Sequence, residues 1–246
     1  MAKILLNNVT IDLPIFNASG RSLKQRVLGA ATGGRIAADN AGHVVVRALD
    51  RICLEVRDGD RVGIIGHNGA GKTSLLRVLS GAYLPTTGSA TIEGKMGSLI
   101  DISIGIDPEA TGRENIVMRG ALLGMSKLEI HKYTPEIVAF ADLGDFIDMP
   151  LRSYSAGMQL RLAFAISTVL RPEILLMDEW LSAGDENFKT KINKRLDDLV
   201  TSTNILVIAS HSRELILKLC NRAVWLEHGR VAADDRPDVV VSKYFG

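Results

Sequence analysis

A chain of 246 residues has room for one large domain or two small ones and can bury a substantial core. Its 29 basic and 28 acidic residues leave a formal net charge of +1, without the basic excess of a dedicated nucleic-acid binder, so no nucleic-acid partner is expected. Cys53 and Cys220 lie far apart and form no CxxC pattern, which argues against a disulfide framework or a zinc site, and no run of about 18 apolar residues is present to span a bilayer.

In chain order, residues 4–11 read as a first strand, and Asn7, Asn8 and Asp12 break the apolar run too early for a signal peptide. Residues 17–43 are rich in Gly and Ala and carry Arg21, Lys24, Arg26 and Arg35 against one acid, Asp39; they read as a long excursion that could hold one short helix. Residues 44–56 and 61–65 read as strands joined by a turn at Asp58-Gly59. A Gly-rich segment follows, then helical periodicity over 72–79 and short strand signals over 91–100, around Gly94.

Thr111 with Glu114 and Ser126 with Glu129 are capping boxes that start two helices, and Gly124 between them suits a helix C-terminus. Residues 112–143 are therefore expected to be a helical segment inserted between strand-rich regions. Residues 155–170 read as another helix, stopped by Pro172. The apolar runs 174–177 and 205–209 have the pattern of strands buried on both faces of a parallel sheet. Helices over 187–201 and 212–219 alternate with them, which implies an α/β fold with crossover connections.

Gly66-His67-Asn68-Gly69-Ala70-Gly71-Lys72-Thr73 fits G-x4-G-K-[ST], between an expected strand and an expected helix. Its glycines let backbone N–H groups turn toward phosphate oxygens, and the helix that follows, through Ser74, points its positive end at the same anion. Lys72 supplies a full charge to the β- and γ-phosphates, and Thr73 offers a hydroxyl to Mg²⁺. His67 is a variable position whose default role is structural. The strand 174–177 ends in Asp178-Glu179, which delivers two carboxylates to the sheet edge where α/β folds bind ligands. There Asp178 would hold Mg²⁺ and Glu179 would orient or deprotonate the attacking water.

Tyr154-Ser155-Ala156-Gly157-Met158-Gln159 forms a second small-residue helix N-terminus, and nothing within one subunit requires two anion cradles. This segment resembles the signature motif of the ABC ATPases. Ser182-Ala183-Gly184-Asp185 resembles the D-loop of that family, and His211 stands where its switch histidine does. The resemblance covers nearly the whole chain and is nearest to ATP-binding subunits of bacterial exporters of O-antigen, related polysaccharides or teichoic acids. Thr111-Gly112-Arg113-Glu114-Asn115, Arg161-Leu162-Ala163-Phe164 and Asp178 through Asp185 carry it.

The resemblance implies a P-loop NTPase of ABC type: a mixed sheet core, an antiparallel β subdomain and an inserted helical subdomain near 102–170, all in one nucleotide-binding domain over 1–246 with a loop insertion at 17–43. It implies an ATPase using ATP and Mg²⁺, with Ser155, Ala156, Gly157, Met158 and Asp185 of one copy meeting ATP held by a second copy. Two copies of an integral membrane permease complete the assembly, which would export a lipid-linked polysaccharide from the cytoplasmic face of the bacterial inner membrane. A soluble ABC ATPase and a non-catalytic ATP sensor are the rival readings.

Two departures from the family stand out. Ile102 occupies the place of the Mg²⁺-binding Gln, with Asp101 or Ser103 as substitutes if the loop is shifted, and Phe16 is the candidate to stack on adenine, with core packing as its other reading. The chain offers no room for the C-terminal sugar-recognition domain of some relatives. The basic stretch 21–35 either faces lipid headgroups or the permease, or is solvated.

Overall fold

The computed structural model describes residues 1–14, 36–38, 44–102, 104–179 and 186–246. Phe16, Ser103, the stretch 21–35 and Trp180 through Asp185 lie outside the described residues. The chain divides into two compact units: Met1–Lys95, Leu176–Glu179 and Asn204–Gly246 form one, and Met96–Leu175 with the described part of 180–203 forms the other.

The first unit contains two sheets. β1 (Lys3–Pro14), β2 (Ile36–Ala38), β3 (Val44–Arg57) and β5 (Thr87–Glu93) make an antiparallel sheet in the order β2-β3-β1-β5. Ile4 and Leu6 alternate inward along β1 until a register shift between Leu6 and Val9, where Asn8 takes φ 50° and the alternation restarts with Val9 and Ile11 buried. Asparagine tolerates that left-handed conformation better than a branched residue would. β2 lies within the excursion expected to hold a helix at most; its three residues pair with Val44–Val46 of β3 instead.

The second sheet centres on β4 (Arg61–Ile65), which runs parallel to both β8 (Ile205–Ala209) and β9 (Arg222–Glu227), with Val62 opposite Val207 and Arg222. β10 (Arg230–Asp235) returns antiparallel on β9, and β7 (Ile174–Asp178) lies beside β8. Val62, Ile64, Ile65 and all five residues of β8 are buried, as the charge-bounded apolar runs require. The crossover from β4 begins with α1 (Lys72–Leu79), whose Leu75, Leu76 and Leu79 are fully buried. The C-terminal hairpin β9–β10 and the last helix, Pro237–Phe245, have no counterpart in the sequence reading.

The second unit is mainly helical. It holds β6 (Met96–Leu99), α2 (Gly112–Leu122), α3 (Lys127–Ala141), two 3-10 turns at Gly144–Asp148 and Leu151–Ser153, α4 (Ala156–Ser167) and α5 (Glu186–Ser202). Both capping boxes form: the Thr111 and Ser126 side chains accept from the amides of Glu114 and Glu129, whose carboxylates answer the cap amides. Gly124, at φ 80°, follows α2 as a C-terminal glycine should. Ile116, Ile137, Leu151, Leu162 and Ile166 form its core. α4 ends at Ser167, three residues short of the expected end, because Thr168 turns its hydroxyl back onto the Phe164 carbonyl at 2.8 Å as the chain nears Pro172. α5 joins this unit through Arg195–Glu136 and Lys191–Asp142 contacts at 2.6 and 3.2 Å.

Candidate functional site

The loop from Gly66 to Gly71 leaves β4 and turns directly into α1. Two glycines decide its path. Gly66 sits at φ 152°, and a Cβ there would overlap the Leu226 carbonyl oxygen. Gly71 sits at φ 110°, and a Cβ would lie 2.8 Å from the Ala48 carbonyl oxygen. Side chains are therefore barred where the loop crosses its neighbours. The turn between β9 and β10 props it from one side: the Gly229 amide donates to Ala70 O at 2.9 Å, and Asp50 N donates to Gly229 O at 2.8 Å.

Lys72 is the first residue of α1 and is 9% exposed. Its ammonium donates to Gly66 O at 2.7 Å, to His67 O at 3.3 Å and to His211 Nε2 at 3.2 Å. An ammonium has no acceptor capacity, so His211 accepts through Nε2 and carries its proton on Nδ1. Burial draws the lysine below its ordinary pKa, against the pull of the nearby Asp178 and Glu179 carboxylates. All three ammonium protons are engaged by the loop and the histidine, and an arriving phosphate would take them over.

Thr73 donates its hydroxyl to Asp178 Oδ2 at 2.7 Å, joining the phosphate loop to the end of β7 across 105 positions of sequence. A hydroxyl and a carboxylate are hard oxygen donors, the set that suits Mg²⁺ held partly by water and by phosphate. Among the described residues no three His, Cys, Asp or Glu side chains form a cluster that could cage a metal.

Glu179 follows with φ 70°, an uncommon conformation for a non-glycine, held by its amide on Ala209 O at 2.8 Å. Its carboxylate accepts from Ser210 Oγ at 2.6 Å and from the His211 amide at 3.2 Å. Ser210 is 1% exposed, and the sequence reading passed over it. A serine just before the strand-end histidine was the available signal, since a buried hydroxyl must find a partner.

His67 is half-buried; its Nδ1 donates to Asn68 O at 2.8 Å and its ring lies 5.0 Å from that of His228. Gly69, Ala70 and Ser74 complete the loop and the first turn of α1. The structure thus brings the loop, Lys72, Thr73, Asp178, Glu179 and His211 together in one unit. In the other unit, Ser155 caps α4 by accepting from the Met158 amide at 3.3 Å, and Ser155, Ala156 and Gly157 are all exposed.

Comparison with known proteins identifies the family and the fold. The family model described as ABC transporter matches residues 49–182. The chain is 46% identical over 231 residues to the O-antigen export system ATP-binding protein RfbE of Yersinia enterocolitica, covering 94% of this chain and 97% of that protein. It is 39% identical over 197 residues to the teichoic acids export ATP-binding protein TagH of Listeria innocua, covering 80% of this chain but only 58% of TagH. A solved dimeric ATP-binding cassette in a post-hydrolysis state, bound to ADP and Pi, superimposes with a TM-score of 0.67 at 21% identity over 95% of this chain, which establishes the shared fold.

Proposed function

The chain belongs to the ABC transporter family and is an ATPase, and from that premise we propose that it powers export of a lipid-linked, O-antigen-like polysaccharide as one of two identical copies bound to a separate permease. Near full-length similarity to an O-antigen export protein supports the polysaccharide. The weaker likeness to a teichoic acid exporter makes a related phosphate-linked polymer the second reading. No helix among the described residues is long and apolar enough to cross a membrane. The permease therefore holds this subunit at the cytoplasmic face of the inner membrane, with the whole chain acting as one nucleotide-binding domain.

The Thr73–Asp178 contact carries the site assignment, because it brings phosphate loop and acidic strand end to one point. Gly66 through Ser74 bind the triphosphate through their amides, and Lys72 releases its internal acceptors for the β- and γ-phosphate oxygens. Thr73 and Asp178 would hold Mg²⁺, which would neutralise phosphate charge. Glu179, oriented by Ser210 and the His211 amide, takes the proton of the attacking water, and His211, freed from Lys72, turns a protonated ring nitrogen to donate to the γ-phosphate. Ser155 through Met158 and Asp185 of the second copy close over that phosphate, while Phe16 stacks on the adenine. ATP thus stabilises a closed pair by contacts that vanish on hydrolysis, as a ligand-driven switch requires. A groove formed partly by residues 100–145 passes the change to the permease.

Replacing Glu179 with Gln removes the base and leaves the cradle. Turnover should fall by about 10²–10⁴-fold, and with ATP present the variant should elute as a dimer in size-exclusion chromatography. Wild-type turnover in that variant would remove Glu179 from its role.

A further inference from the structure

α2 carries two buried polar side chains, Asn115 at 0% and Arg119 at 3% exposure, four residues apart and so on one face of the helix. Asn115 is fully used: Nδ2 donates to the carbonyls of Asp107, Ala110 and Thr111 at 2.9, 3.2 and 2.9 Å, and Oδ1 accepts from Asp107 N at 2.8 Å. Arg119 continues this ladder toward the loop. Nη1 donates to Ile104 O at 2.6 Å and Nη2 to Ser167 Oγ at 2.9 Å, while Nε, also buried, has no acceptor among the described residues.

A buried cation without a carboxylate partner is among the costliest side-chain placements. Among the described residues no carboxylate pairs with the Arg119 guanidinium; burial pulls it down to about 10, so it remains charged at neutral pH. Its compensation is dipolar. Arg119 lies in the last turn of α2, and Ser167 is the last residue of α4, a helix with no basic residue of its own in that turn. Two negative helix ends thus meet one positive charge. A leucine or methionine would fill the space without that cost, but only a planar fork can reach the loop carbonyl and the α4 hydroxyl together.

The clamped carbonyl lies two residues beyond Ile102, in the loop that lacks the glutamine common in the family. Its neighbour Gly105, at φ 78°, lies against the Leu122 side chain, where a Cβ would overlap Leu122 Cδ1. Ile104 and Leu122 are 66% and 69% exposed, so the loop offers apolar side chains to the outside while its backbone is tied to the helices.

We propose that Arg119 is a positioning residue for energy coupling: it fixes the loop around Ile104 to α2 and α4, so that a segment with no glutamine still presents one defined surface to the membrane partner. This rests on the reading of the chain as a permease-coupled ATPase. Asn115 secures the segment up to Thr111, and Arg119 secures the part nearest the departure from the family.

The test compares wild type with Arg119→Met, Arg119→Lys and Ser167→Ala. Hydrogen exchange read by mass spectrometry on the full chain should show amides of residues 104–107 exchanging about tenfold faster in Arg119→Met and Ser167→Ala, with α3 unchanged. In proteoliposomes with the permease, stimulation of ATP turnover over the isolated chain should drop about fivefold or more in Arg119→Met, a typical size for lost coupling. Basal kcat and KM should stay within about twofold, and Arg119→Lys should recover part of the stimulation. Unchanged exchange, or basal and stimulated turnover falling in parallel, would overturn the proposal. Should Arg119→Met fail to fold, Ser167→Ala decides alone by the same two readouts. Wild-type hydrolysis by Glu179→Gln would instead sink the ATPase site assignment and leave the exchange result to judge the clamp.

Discussion

Glycines in the two units serve opposite ends. In the phosphate loop, Gly66 and Gly71 are demanded by this chain's own backbone: both have positive φ, and a Cβ on either meets a carbonyl oxygen. At the start of α4, Gly157 is exposed, helical, and a Cβ there would find nothing nearer than Ser155 Oγ at 3.9 Å. Glycine early in a helix costs stability relative to alanine, by up to about 1 kcal/mol. Among the described residues no neighbour repays that cost. The phosphate loop is thus shaped by what lies beneath it, whereas the small residues at the exposed tip of α4 answer to no neighbour among the described residues and fit the proposed contact with a second copy. The polar groups repeat the contrast. Lys72, Thr73, Asp178, Glu179, Ser210 and His211 satisfy one another, while the side chains of the exposed tip Ser155-Ala156-Gly157 make only the helix cap among the described residues.

Exchange of one methyl group at each place separates the two cases. Gly71→Ala should be the more damaging: the forced conformation costs about 1–3 kcal/mol, and displacement of the loop should weaken ATP binding by about 100-fold, measured by fluorescent-nucleotide titration. Gly157→Ala should leave that titration unchanged in the isolated chain and raise the denaturation midpoint slightly, yet reduce turnover about tenfold by crowding the second copy's phosphate. Full turnover in Gly157→Ala, with Gly157→Val also active, would break the comparison and with it the two-copy site.

How much of this was readable before the structure depends on how far apart the partners lie. The phosphate loop, the Lys72–Leu79 helix and the caps at Thr111 and Ser126 are local signals, and the structure places them where the residues said. β7 and β8 were visible because burial makes Ile174 through Met177 and all of β8 uniformly apolar. β9 was not: its apolar run, Ala223–Leu226 between Arg222 and Glu227, was passed over, and its place beside β4 depends on a pairing of Val62 with Arg222 that no local pattern encodes. β2 is three residues long and gains its identity from β3. Within the site, Lys72 and Thr73 were legible from motif spacing, Asp178 from the end of an apolar run, and His211 only through the family resemblance. Ser210 needed the fold to show its contact with Glu179. Nothing in the sequence reading marked Arg119, and only the packing of α2 and α4 shows it to be buried.

A smaller effect is expected at a polar group of the helical unit that only supports its helix. Ser126→Ala removes the cap of α3 and should cost about 1 kcal/mol in denaturant unfolding while leaving basal ATP turnover unchanged. A fall in turnover matching Gly157→Ala would mean that the helical unit is tuned as a whole and that α4 has no privileged tip.

The smallest expected effect lies in the closed set around Lys72 and concerns only pH. Burial places the folded pKa of this lysine below its unfolded value. In the window between the two, the unfolded chain binds more protons than the folded one, so the lysine's contribution to stability rises with pH until the unfolded value is passed. At lower pH the protonated group is a standing cost of the nucleotide-free fold. Lys72→Met removes that cost and, at every pH, the contacts to Gly66 O, His67 O and His211. The stability of Lys72→Met relative to wild type should therefore decline as pH rises through the lysine's folded pKa toward the ordinary lysine range, measured by urea unfolding without nucleotide. Saturating ATP should abolish the trend, because a phosphate beside the ammonium favours its charged form. A relative stability that stays flat with pH would mean that water reaches Lys72 and that the polar set around it is open to solvent, as the tip of α4 is.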